Sequence, residues 1–156
     1  MKKMTNQNTS CSICRRVTLW RDGSNPHFIH EFENSILVVG DHQFHRGYSL
    51  LLLKEHVREL HELDPPVQAA LFRELMTAGR ALVATFRPWK MNYSCYGNVD
   101  PHIHWHLFPR YDTEPDHLNH PWLHAPEFDA HRVDADAARA IAERIRANLN
   151  APAQGT

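Results

Sequence analysis

Pro101-His-Ile-His-Trp-His-Leu-Phe-Pro109 sets a histidine at every second position of a short apolar run. In an extended strand the side chains alternate between faces and positions two apart lie roughly 6.5–7 Å from each other, so His102, His104 and His106 are expected in a row on one face. Ile103, Trp105 and Leu107 then point the other way, toward the core. An imidazole donates, accepts or ligates near neutrality because its unperturbed pKa is about 6.5, so such a row suits an anionic ligand or a metal. The bland alternative is a surface strand that merely alternates; histidine at every polar slot argues against it.

Working outward from this run, Lys90 to Tyr96 reads as the preceding strand, with Gly97-Asn98 turning the chain into the histidine strand. Further upstream, Phe28 to Phe32 alternates weakly, while Ser35-Ile-Leu-Val-Val39 is short, rich in β-branched residues and closed by Gly40-Asp41. Arg46-Gly47 leads into Tyr48 to Leu53, and the three segments read as an antiparallel meander. Asp64-Pro65-Pro66 is a helix start, with Asp64 able to cap and Pro65 at the first helical position. Val67, Ala70, Leu71, Leu75, Ala78 and Leu82 then form one apolar stripe that ends near Arg87, before Pro88. A last helix is expected from Asp134 to Leu149 on Ala138, Ile141, Ala142, Ile145 and Leu149. Strands, a helix, a hairpin and a final helix predict an α+β fold: an antiparallel sheet of about five strands with one long helix and a C-terminal helix.

The chain has 156 residues, a length that fits one domain able to bury a core without staples. Residues 1–9 and 150–156 are expected as disordered tails, and 10–149 as a single domain with a C-terminal extension from about residue 112. Seventeen Lys and Arg against eighteen Asp and Glu leave a formal charge of −1, so there is no basic field for a long nucleic acid. No stretch approaches the ~20 apolar residues of a membrane span. The first nine residues lack an apolar signal core, so a cytoplasmic location is expected. Three cysteines give no disulfide framework. Cys11-Ser-Ile-Cys14 reads as a metal half-site or as plain thiols, and Cys95 as packed in its strand.

Gly97-Asn-Val-Asp-Pro-His102-Ile-His104-Trp-His106-Leu-Phe-Pro-Arg110 resembles the signature of the histidine-triad (HIT) family of nucleotide hydrolases and transferases, in particular members like the diadenosine polyphosphate hydrolases. Gly47-Tyr-Ser-Leu-Leu-Leu-Leu-Lys-Glu-His56 is similar to that family's glycine-led strand ending in lysine and histidine. Cys11 and Cys14 resemble the cysteine pair of its zinc-bearing members. The segments follow in the family's order from Cys11 to Tyr111.

The resemblance implies that His104 attacks the α-phosphorus of a dinucleoside polyphosphate or nucleoside phosphoramidate, forming a nucleotidyl-histidine that water or another acceptor resolves. His106 would hydrogen-bond a non-bridging phosphate oxygen, and His102 would orient the row by hydrogen bonds or as a metal ligand. Asn98 stands where many members carry a glutamine. It keeps a carboxamide for phosphate or leaving group on a shorter side chain, and it also suits a tight turn. Asp41 is the candidate acceptor for ribose hydroxyls, with a turn-forming Gly-Asp as the alternative. Tyr48 replaces a histidine often found after the glycine. The zinc-bearing branch implies a structural zinc on Cys11, Cys14, His56 and His102, no catalytic cofactor, and a homodimer. The other readings are a catalytic metal held by the three histidines and a non-catalytic nucleotide-binding or interaction module of the same fold. The remaining histidines read as solvated, with His117 to His131 and Trp122 alternatively covering the site entrance.

Overall fold

A computed structural model describes residues 10–150, so both predicted tails, Asn150 excepted, lie outside the described residues. Helix α1 (Ser12–Arg21) precedes strands β1 (Phe28–Glu31), β2 (Ser35–Val39) and β3 (Ser49–Leu53). Helix α2 (Pro65–Phe86), strands β4 (Lys90–Ser94) and β5 (His104–Arg110), and helix α3 (Ala135–Arg146) follow. The strands form one antiparallel sheet in the order β1-β2-β3-β5-β4. This is the α+β architecture that the sequence predicts. Among the described residues no helix is long and apolar enough to cross a membrane.

Every residue of β2 and β3 is buried. Both faces of the sheet are therefore covered, which is why these strands read as unbroken apolar runs. On one face, Leu37, Leu51, Ile103 and Leu107 pack against Leu71, Leu75 and Leu82 of α2 and Ala142 and Ile145 of α3. On the other, Ile36, Val38, Leu50, Leu52 and Phe108 meet Ile13, Cys14 and Val17 of α1. Nothing in the sequence reading anticipated α1. Its buried face comprises only Ile13, Cys14 and Val17, and its N-cap is a cysteine, whose Sγ accepts the Cys14 N–H at 3.4 Å.

The long helix starts as expected, but the Asp64 side chain makes no cap bond. The Asp64 backbone carbonyl instead takes the N–H groups of Val67 and Gln68. The helix ends on Arg87, which turns left-handed with φ 49° ahead of Pro88. Glu74 is buried on α2 and accepts from Asn34 N (2.9 Å), Asn34 Nδ2 (3.0 Å) and the Ser35 hydroxyl (2.5 Å), clamping the turn between β1 and β2. Glu74→Ala strands those donors, and bonds to a charged group are worth about 1.5–3 kcal/mol each. Urea denaturation is expected to show a loss of about 3 kcal/mol or more, and a loss under 1 kcal/mol would mean that the clamp is idle.

The hairpin carrying the histidines departs from the expected tight turn. β4 stops at Ser94 and β5 begins only at His104, so residues 95–103 form a nine-residue connection. Two attachments pull this connection out of a hairpin path. The Asp100 carboxylate takes the Ser12 N–H (2.9 Å) and hydroxyl (2.6 Å) at the start of α1, and the His102 ring enters a cluster with Cys11 and Cys14. Burial pushes the Asp100 carboxyl up, but the two Ser12 bonds outweigh it and hold the group below its ordinary value.

Candidate active site

The alternation predicted for the histidine run survives, although His102 lies ahead of the strand. Ile103 and Leu107 sit in the core beneath α2, and Trp105 is half-buried against it. His104 and His106 occupy the α1 face, with ring centroids 4.9 Å apart. His104 is 7% exposed, and its Nδ1 lies 2.6 Å from the backbone carbonyl of His102. A carbonyl only accepts, so Nδ1 carries the proton and donates, and Nε2 keeps its lone pair. The ring is thus held in the tautomer that a nucleophile needs.

Half-buried His106 places Nδ1 2.7 Å from the Tyr48 hydroxyl. Burial first, then the neighbouring His104 and His42, pushes its pKa down to about 3, so at neutral pH this ring is uncharged and has one N–H to give. Trp122 stands edge-on to His106 at 4.8 Å, and its Nε1 donates to Ser94 Oγ at 3.4 Å. The stretch Pro121–His131 is a run of 3-10 turns that lays Trp122 and Phe128 over this face. Phe108, Tyr48, His42 and Phe128 form a continuous ring stack, with successive centroids 4.4, 4.5 and 3.9 Å apart. The histidine-rich C-terminal segment is therefore built into the wall of the site.

Cys11, Cys14, His56 and His102 converge: their ligand atoms all lie within 4.8 Å of one another. His102 Nδ1 stands 3.6 Å from Cys11 Sγ, 3.5 Å from Cys14 Sγ and 3.2 Å from His56 Nδ1, and Cys14 Sγ is 3.2 Å from His56 Nδ1. A tetrahedron with zinc–sulfur bonds of about 2.3 Å and zinc–nitrogen bonds of about 2.05 Å has edges of about 3.3–3.6 Å between S and N or N and N ligands. Those four edges match a tetrahedral metal within a few tenths of an ångström, and all four ligand atoms stay within 4.8 Å of one another. His102 Nε2 donates to the Leu53 carbonyl at 2.8 Å, which leaves its Nδ1 lone pair aimed at the cluster. Burial first, with His56 and His104 nearby, drives the His102 pKa down to about 4, so the ring stays neutral and able to ligate. Among the described residues this is the one group of ligands with metal spacing. Among the described residues His102, His104 and His106 are not grouped at metal spacing, and His102 Nδ1 faces the cysteines.

Asn98 is exposed, on the connection after Gly97. Asp41 receives Arg16 Nη1 at 2.7 Å and Arg16 Nη2 on its other oxygen. Burial pushes Asp41 up, yet its bond to Arg16 wins and keeps it ionised well into acid. Cys95 is half-buried and packs against the core beneath α2, where burial pushes its thiol up. Sequence reasoning missed the Arg16–Asp41 pair and the seating of Tyr48. The visible signal for the latter is Gly40, since a Cβ there would overlap the Tyr48 ring.

The profile of the HIT domain family matches residues 23–113. Among solved structures, a HIT-like protein from Bartonella henselae superposes with TM-score 0.69 at 14% identity, covering 92% of this chain and 99% of that one. A zinc-bound histidine triad family protein from Mycobacterium smegmatis gives 0.65 at 22% identity, with 90% and 93% covered. The Plasmodium falciparum diadenosine triphosphate hydrolase gives 0.58 at 14% identity, with 80% and 77% covered. At these identities the likeness is one of fold. A search of curated proteins finds no match.

Proposed function

The chain belongs to the HIT domain family, and on that premise we propose that it cleaves a nucleotide at its α-phosphate through a covalent nucleotidyl-histidine on His104. The observation that carries this reading is the 2.6 Å bond from His104 Nδ1 to the His102 carbonyl, which leaves Nε2 as the free nucleophilic nitrogen. A dinucleoside polyphosphate or a nucleoside phosphoramidate is the proposed substrate class. The fold likeness to a diadenosine triphosphate hydrolase supports the former.

In the first step Nε2 of His104 forms a bond to the α-phosphorus, and the bond to the leaving group breaks with its electron pair; an oxygen leaves as a phosphate anion, and a nitrogen leaves as the amine after taking a proton from water. In the second, water or another acceptor attacks the same phosphorus and releases its proton to solvent, the phosphorus–nitrogen bond breaks with its electron pair returning to Nε2, and His104 is restored. His106 donates to a non-bridging oxygen, where charge builds during both displacements. Exposed Asn98 is proposed to donate to the phosphate or the leaving group. Asp41 is proposed on the ribose side; each of its oxygens gives one lone pair to Arg16 and keeps another for a hydroxyl.

Cys11, Cys14, His56 and His102 are proposed to hold a structural zinc. Four protein donors leave no open position for substrate, so the metal supplies rigidity to the segment bearing His102 and no chemistry at phosphorus. The catalytic unit is proposed as one domain over residues 10–149, acting as a homodimer in the cytoplasm.

Trapping tests the reading. The protein is mixed with an adenylylated substrate, quenched within milliseconds into mild alkali, digested and weighed. A nucleotide mass on the peptide holding His104, lost in His104→Ala, is the expected result. A label on another residue, or full turnover by His104→Ala, would overturn it, and tight nucleotide binding with no turnover would make the protein a binding module.

A further inference from the structure

Tyr48 leads β3 and is 4% exposed, yet it carries a hydroxyl into the α1 face of the sheet. A phenol so buried has one proton to place and keeps it, because burial raises its pKa far above neutrality. His106 Nδ1, at 2.7 Å, is the polar atom the structure gives it. Were Nδ1 itself protonated, two donors would face each other, and the buried hydroxyl proton would go unpaired at a cost comparable to a lost hydrogen bond. The ring around the hydroxyl is held on both sides. It stacks on Phe108 at 4.4 Å with 6° between planes, on His42 at 4.5 Å, and it lies across Gly40, where a Cβ would come within 2.5 Å of Cε1.

We propose that Tyr48 is a positioning residue: its hydroxyl donates to His106 Nδ1 and so fixes the ring proton of His106 on Nε2, the nitrogen left to donate to a phosphate oxygen. This rests on the reading that His106 meets the transferred phosphate. An imidazole with its proton on the wrong nitrogen would present a lone pair to a phosphate oxygen, turning attraction into repulsion. Gly40 belongs to the same device, since only a residue without a side chain lets the tyrosine ring lie flat enough to reach His106. Tyr48 touches no reacting atom; it acts on the reaction through His106.

Two measurements decide this, one of them independent of turnover. In 15N-detected spectra of the folded protein, His106 is expected to show an unprotonated Nδ1 and a protonated Nε2 near pH 7, with the Nδ1 signal moving in Tyr48→Phe and in Gly40→Ala. A protonated Nδ1 in the unaltered protein would overturn the proposal whether or not the protein is an enzyme. In kinetics, Tyr48→Phe is expected to lower kcat roughly tenfold or more with KM little changed, and to cause no further loss in a His106→Ala background. An equal loss in both backgrounds would mean that Tyr48 does not work through His106. Absence of turnover on every nucleotide tried would instead remove the enzymatic reading and leave the spectral result to judge the tyrosine.

Discussion

Replacing His104 with alanine is expected to lower turnover of a nucleotide substrate by roughly four orders of magnitude while the protein stays folded. No second group can form the same covalent bond. His106 sits beside it, but its ring is engaged at Nδ1 by Tyr48 and carries its remaining proton on the other nitrogen under the arrangement inferred above. Loss of a nucleophile commonly removes nearly all of the rate that the catalytic group provides, leaving only what binding and charge stabilisation supply. The cost to stability is small by comparison, about 1 kcal/mol for the bond to the His102 carbonyl. Steady-state and single-turnover rates read the first quantity, and a thermal melt the second. Residual activity within tenfold of the unaltered protein would mean that His104 is not the attacking group.

Cys14→Ser, or extraction by a strong chelator, is expected to lower the melting midpoint by about 10 °C. A ligand present at a thousandfold its Kd stabilises a fold by about 4 kcal/mol, and each kcal/mol moves Tm by roughly 2–4 °C in a domain of this size. The effect should be large because the cluster joins three remote pieces of chain: the cysteines open α1, His56 follows β3, and His102 precedes β5. Elemental analysis of protein purified without added zinc should find one metal per chain, retained in Cys95→Ser and lost in Cys14→Ser. Protein without metal, whose melting is indifferent to Cys14→Ser, would remove the zinc proposal. Turnover should fall with the metal too, because the carbonyl that holds His104 belongs to a residue whose ring is a proposed ligand.

The parts of this fold that the sequence announces are those where one side of an element does one job. The stripe from Val67 to Leu82 and the apolar runs at Ser35–Val39 and Ser49–Leu53 leave little choice of period, and α2, β2 and β3 lie where that period places them. The histidine run was legible because alternation survives even where the strand ladder has not begun: His102 keeps its face while lying outside β5. What escaped was decided by partners far away in the chain. The α1 stripe is short and partly made of cysteine, so its burial follows from the sheet it meets and not from its own pattern. Gly97-Asn98 looks like a tight turn between two strands until Ser12 claims Asp100 and the connection widens to residues 95–103. Trp122 and Phe128 are six positions apart, a spacing that fits three residues per 3-10 turn and not the 3.6 of an α-helix, and two residues alone make no pattern to read. Tyr48 stood out only as a substitution for histidine, and its use depends on a glycine eight residues earlier.

The bond between Ser12 and Asp100 spans 88 positions of sequence. At a synthesis rate of roughly 5–20 residues per second, a ribosome needs about 4–18 s to travel that distance. For that interval the first helix has β2 and β3 to lie on but not β5, and its two thiols have His56 within reach but not His102. Asp100 and His102 thus arrive together, and the clasp on Ser12 and the fourth member of the cysteine–histidine cluster are added in the same short stretch of synthesis.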